Sequence, residues 1–220
     1  MKWLKIIVFL IITIAVYANC KSYTQHGKWE KISNQRIYSV SGLVHHKNGF
    51  LIVHDNKKEN QPRISFFKNN KISPLIWPDS SLPYDLEAIS IIPSFKNQYI
   101  LMESTGKCYK IKIEQRNNQI TLMNIFQLET NEGVNLEGCL IVKGNFGYKI
   151  IYGDRGSDLR KSTLFVGDFN PINNNITNLV KHIIDLPAPS EHKRNIADLG
   201  IDKKNNLWTS ATSDPGNDGP

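Results

Sequence analysis

Six acidic side chains fall at recurring points along this sequence. Glu87, Glu137 and Asp198 each sit inside a short motif: Leu86-Glu87-Ala88-Ile89, Leu136-Glu137-Gly138-Cys139 and Ala197-Asp198-Leu199-Gly200. An earlier motif, Ser41-Gly42-Leu43, carries Gly42 at the matching place. Asp55, Glu103 and Asp154 form a second set, each just after an apolar run. Carboxylates that recur once per repeat can converge on a common axis, and there they repel one another unless a positive charge lies among them. Calcium, a hard cation with roughly six to eight oxygen ligands, is the natural neutraliser outside the cell. Beside a phosphoester it would also polarise the phosphoryl oxygen and activate water. Glu87, Glu137 and Asp198 are therefore candidate ligand-binding residues, and Asp55, Glu103 and Asp154 candidate metal ligands. The same positions have a structural reading, in which each carboxylate accepts backbone N–H bonds from a neighbouring loop and binds nothing. Both readings stay open on sequence alone.

Other constellations are weaker. His45-His46 precedes the turn Lys47-Asn48-Gly49, which favours exposure over metal ligation. No G-x-S-x-G elbow positions a nucleophile, and no glycine-rich loop cradles a phosphate. The oxygen-rich residues 214–218 lack the ordered spacing of a calcium loop. Asn175-Ile176-Thr177 fits a glycosylation sequon. Cys108 and Cys139, about one repeat apart, are either one disulfide or two buried thiols, and no Cys/His metal pattern accompanies them. No residue qualifies as a catalytic nucleophile or base.

The elements that must position these acids are strands. Gly49-Phe50-Leu51-Ile52-Val53, Tyr99-Ile100-Leu101-Met102 and Tyr148-Lys149-Ile150-Ile151-Tyr152 are compact apolar runs, each followed by a polar cluster. Leu207-Trp208-Thr209 repeats the pattern. Runs bounded by Gly, Asn and Asp are strand and turn signals. Beyond the leader, no segment sustains helical spacing.

The acidic motifs precede these runs at spacings of 45, 50 and 61 residues from Gly42 to Glu87, Glu137 and Asp198. Further strands follow within each unit, at Ile64-Ser65-Phe66-Phe67, Lys110-Ile111-Lys112-Ile113 and Ser162-Thr163-Leu164-Phe165-Val166. Four short strands per unit make the blade of a β-propeller. One blade cannot cover both its apolar faces, whereas radial stacking buries both. The expected fold is all-β and β-propeller-like over residues 39–220, with about three and a half four-stranded blades; a β-sandwich is the alternative. The turn-forming string at 214–220 leads us to expect a fragment of a longer, six-bladed propeller.

At these motifs the chain resembles exported propellers of the phytase-like ("esterase-like activity of phytase") and SdiA-regulated groups. The residues that carry the resemblance are Ser41-Gly42-Leu43 with His54-Asp55-Asn56, and Asp85-Leu86-Glu87-Ala88-Ile89 with Met102-Glu103-Ser104. Asn135-Leu136-Glu137-Gly138 and Ile196-Ala197-Asp198-Leu199-Gly200 continue it. The resemblance implies an extracytoplasmic propeller, calcium dependence, and phosphoester or ester hydrolysis in some members.

Residues 1–18 supply the expected address. Lys2 and Lys5 precede a stretch, 6–16, that is apolar except for Thr13. Roughly 11 residues suit a signal peptide better than a spanning helix, which needs about 20. Three readings follow: cleavage after Ala18, lipidation of Cys20, or an uncleaved membrane anchor. Residues 19–38 form an N-terminal segment. Losing Lys2 and Lys5 lowers the net charge from +7 to +5. The remaining lysines are scattered without dense Arg/Lys and interleaved aromatics, which argues against nucleic acid and leaves attraction to anionic lipid or polysaccharide open. Abundant Asn, Ile and Lys read as genome composition. The expectation is an exported propeller, periplasmic or extracellular, that binds a small ligand, polymer or cell-envelope component and meets the membrane only through its leader or lipid. Metal-dependent phosphoester hydrolysis is the alternative.

Overall fold

A computed structural model describes residues 31–114, 116–130, 133–157, 159–185 and 194–213. The expected leader, Cys20 and the string at 214–218 lie outside those residues. Ile32–Pro220 forms one compact unit, and its fold is all-β and propeller-like. Apart from one 3-10 turn, Arg36–Tyr38, the described residues form strands and their connections.

Three sheets have four strands each and the fourth has two. The first is β1 (Gly42–His46), β2 (Gly49–Val53), β3 (Ile64–Lys68) and β4 (Lys71–Pro74). The second is β5 (Leu86–Ile91), β6 (Gln98–Glu103), β7 (Lys107–Ile113) and β8 (Ile120–Gln127). The third is β9 (Leu136–Gly144), β10 (Gly147–Asp154), β11 (Ser162–Asn170) and β12 (Asn175–Ile184), and the last β13 (Arg194–Ile201) and β14 (Leu207–Ser213). Each is an antiparallel meander in chain order, as blades are.

The first strands of successive sheets lie side by side. The Ile141 amide donates to Ser90 Oγ at 2.8 Å, tying β9 to β5. A Cβ on Gly42 would come within 3.0 Å of the Ile89 nitrogen, and one on Gly138 within 2.7 Å of the Leu199 nitrogen. Glycine at these two positions lets neighbouring blade backbones touch.

Strand alternation then fills both gaps around the second sheet. Tyr99 and Leu101 of β6 face the first sheet and pack with Leu51, Val53 and Ile64. Ile100 and Met102 face the third and pack with Cys139, Tyr152 and Phe165. A strand buried on both faces reads as a continuous apolar run, because its two alternating sets are both core. Cys108 and Cys139 share the second of these cores as free buried thiols.

Register corrects the repeat alignment by one residue. Val53 faces Gly42 and Ile64, Met102 faces Ala88 and Cys108, and Gly153 faces Gly138 and Leu164. In three of the four repeats a β-bulge lets one residue fall out of the ladder, and those residues are Glu87, Glu137 and Ala197. Asp198 therefore stands where Ala88 and Gly138 do, and the counterpart of Glu87 in the first repeat is Ser41 rather than Gly42.

The strands run so that each blade has two distinct ends. At the turn end, short connections hold asparagines in left-handed backbone: Asn69 and Asn70, Asn97, Asn118, Asn174 and Asn205, all at φ between 49° and 64°. Asparagine tolerates that conformation because its amide can bond locally. The opposite, loop end carries the links between sheets and the connections β2–β3, β6–β7 and β10–β11. All six candidate acids lie at this loop end or close to it.

Candidate functional site

At the loop end the bulges place Glu87 and Glu137 on the first strands of adjacent blades, outside the hydrogen-bonded ladder. Glu87 is half-buried, and no hydrogen bond or ion pair reaches its carboxylate among the described residues. Burial and then repulsion by Glu137, Asp85 and Asp55 push its carboxyl up to about 8, with Lys57 opposing.

Each acid that repels Glu87 has its own cation. Arg36 pairs with Asp55 at 2.8 Å, and Ser39 Oγ donates to the same carboxylate at 3.0 Å. That arrangement holds Asp55 below the usual carboxylate range. Lys57 pairs with Asp85 at 3.0 Å, while Ser104 Oγ donates to Asp85 Oδ2 at 2.9 Å. Arg155 approaches Glu137 at 3.4 Å, and Asn135 Nδ2 donates to it at 3.2 Å. Three compensated pairs thus flank one uncompensated carboxyl. Beside Arg36 a cavity of about 450 Å³ opens along residues 32–40, lined by Ser33, Gln35, Tyr38 and Ser39 among others.

Asp198 stands apart from this network. Its Oδ1 accepts the Leu199 amide at 2.7 Å, burial raises its carboxyl, and its field is felt by Cys139. The sequence motif grouped Asp198 with Glu87 and Glu137, but the bulge residue of that blade is Ala197, which carries no charge.

Asp55, Glu103 and Asp154 belong to three separate hydrogen-bond sets. Glu103 is buried; its Oε1 accepts the Tyr84 amide at 2.7 Å and the Tyr109 hydroxyl at 2.6 Å. Asp154 is wholly buried and accepts from the amides of Asn135 at 3.3 Å and Gly156 at 3.2 Å, and from Arg160 at 3.1 Å. By register the counterpart of these two in the first blade is His54, one residue before Asp55. His54 is buried between the Ser39 carbonyl at 2.7 Å and Ser65 Oγ at 2.8 Å. The three blades thus place His54, Glu103 and Asp154 at one point, each latching the chain around it. Among the described residues no group of three or more His, Cys, Asp or Glu side chains is arranged to hold a metal ion. These donors do not fit a calcium cage.

Sequence reasoning gave no role to His54, Arg36 or Lys57, and read Arg155 as a local partner of Asp154, whereas it reaches Glu137. The adjacency of Asp85 to Leu86, and of Asn135 to Leu136, was readable; the pairing of Arg36 with Asp55, Lys57 with Asp85 and Arg155 with Glu137, across 18 to 28 residues, was not. What remains for chemistry is Glu87. A carboxyl with a value near 8 is largely protonated at neutral pH, so it can donate a hydrogen bond to a ligand oxygen or act as an acid. Perturbed acids of this kind concentrate at functional sites.

No protein-family model matches this chain, and no curated protein is significantly similar to it.

Proposed function

We propose that this chain is an exported, propeller-type binding domain whose loop end takes a small polar ligand, a polymer or a cell-envelope partner. The observation that carries the reading is Glu87: a half-buried carboxyl without a partner, among three acids that each have one. A folded chain gains nothing from such a group, since burial and like charge both oppose its ionisation. A ligand that accepts its proton in a hydrogen bond, or brings a positive charge to it, relieves both costs.

The test is thermal unfolding of the chain with simple probes (glucose, glycerol phosphate, lysine and calcium chloride), each against wild type and Glu87→Gln. A probe that raises the melting temperature of wild type but not of Glu87→Gln supports the site. Equal shifts in both proteins would remove Glu87 from it.

Metal-dependent phosphoester hydrolysis of the phytase-like kind is the competing reading, and its motive is the mutual repulsion of Glu87, Glu137, Asp85 and Asp55. It requires hydrolysis of a generic phosphoester that is lost on chelation and in Glu137→Gln. Absence of such activity with calcium present would end that reading.

A further inference from the structure

The end of the fold opposite Glu87 carries a different surface. There the short turns of all four sheets come together: 47–48 and 69–70 in the first, 92–97 in the second, 145–146 and 171–174 in the third, and 202–206 in the fourth. Exposed lysines sit on or beside them, namely Lys47, Lys71, Lys96, Lys143, Lys203 and Lys204. Carboxylates are scarce at this end and already engaged. Glu114 pairs with Lys112 at 3.1 Å and Asp168 with Lys149 at 2.6 Å, while Asp202 accepts from Asn206 and Trp208 within its own turn. Lysines that look scattered in sequence are gathered here by the meander, because every second connection returns to the same end.

Large apolar side chains stand among these lysines. Phe146 is fully exposed at the tip of the β9–β10 turn, Ile172 is 80% exposed on the β11–β12 turn, and Trp208 is 62% exposed beside the β13–β14 turn. Single exposed apolar side chains occur elsewhere too, as at Ile76, Leu159 and Ile183; here three share one end with six lysines, and exposed apolar groups rimmed by charge mark interaction surfaces. Lysine charge interspersed with Phe, Ile and Trp matches the headgroup boundary of an anionic bilayer, where amphipathic aromatics and basic side chains both settle. An anionic polysaccharide would satisfy the lysines and leave the apolar tips in water.

We propose that the turn end docks on an anionic lipid bilayer, its lysines against headgroup phosphates and Phe146, Ile172 and Trp208 at the acyl boundary. In that pose the loop end, with Glu87, faces away from the membrane and stays open to ligand. The docking does not depend on what the loop end binds.

The experiment is co-sedimentation of the full chain with vesicles of phosphatidylcholine alone and of phosphatidylcholine with phosphatidylglycerol. A retained leader would contribute to both, so the readout is the ratio of the two affinities. The expected ratio is well above one and falls with added salt as the charges are screened. Lys203→Ala with Lys204→Ala lowers it by roughly fivefold per lysine. Phe146→Ser with Ile172→Ser weakens binding to the anionic vesicles at both low and high salt. These turn positions are exposed, and unchanged melting temperatures confirm intact folding of each variant. Equal binding to both vesicle types, or anionic binding indifferent to the two variant pairs, overturns the proposal. So does retention on dextran sulfate that depends on the lysines alone and comes without vesicle binding, which assigns the surface to polysaccharide.

Discussion

The hydroxyl of Tyr109 donates to Glu103 Oε1 at 2.6 Å, and the same oxygen accepts the Tyr84 amide at 2.7 Å. One buried oxygen therefore joins β7 to the link between the first and second sheets. Glu103→Ala strands a hydroxyl and an amide and leaves a void, so we expect a loss of about 3 kcal/mol. Urea unfolding of the variant measures it, and a loss below about 1 kcal/mol would mean that water replaces the carboxylate.

Glu87 makes stability fall as pH rises. Its folded value near 8 lies above the ordinary 4.5, so between those values the folded chain holds a proton that the unfolded chain has released. Stability contributed by that proton is full below about 4.5 and gone above about 8. Glu87→Gln removes this dependence and gains on the order of 3 kcal/mol over wild type at alkaline pH, with no gain in acid. Melting curves across pH for both proteins decide it; parallel curves would show that Glu87 titrates normally.

The histidines act in the other direction. His46, with its Nδ1 2.6 Å from the Tyr99 hydroxyl, is held below the usual 6.5 by burial and by Lys47 and His45, with Asn118 opposing. Burial likewise lowers His54, against the Ser39 carbonyl and Asp55. The unfolded chain thus protonates first, so the stability these imidazoles lend is complete above 6.5 and lost as pH falls through their depressed folded values. In the Glu87→Gln background, where the opposing carboxyl is gone, we expect the melting temperature to drop between about neutral and about pH 5. The slope should be shallower in His46→Phe, and an identical slope would exclude His46 from the effect.

Gly138 is where blades three and four touch. A methyl group there would lie 2.7 Å from both the Leu199 nitrogen and Leu199 Cγ. At Gly42 the nearest backbone atom would be 3.0 Å away. Gly138→Ala should cost about 2–3 kcal/mol and Gly42→Ala clearly less, by denaturant unfolding. Equal costs would show that the sheets shift apart freely.

The repeat was legible in sequence because apolar runs and turn residues alternate at blade spacing, and the structure follows them at Leu51, Leu101 and Ile150. The phase within each repeat was not. A β-bulge adds one residue without changing the composition around it, so Asp198 looked equivalent to Glu137 although Ala197 occupies that place. Asp55 was grouped with Glu103 and Asp154 because it is the first acid after its apolar run, although register makes His54 the counterpart. Glu87 and Glu137 were found because both the motif and the bulge point to them. The cations that flank Glu87 could not be, since Arg36, Lys57 and Arg155 come from three different connections and meet only in the folded chain. Nor could the lysine-rich end, whose residues are dispersed from Lys47 to Lys204.

The asparagines that composition alone would assign to genomic bias hold five of the connections at the turn end in left-handed backbone. Those connections are two to six residues long, whereas the links between the sheets at 75–85 and 128–135 are longer; the backbone beside Glu87 is committed too, with Asp85 at φ 59°. Insertions within those longer links can therefore accumulate without disturbing the lysine surface. The two ends of this fold are free to evolve at different rates, one changing what is recognised while the other keeps where recognition happens.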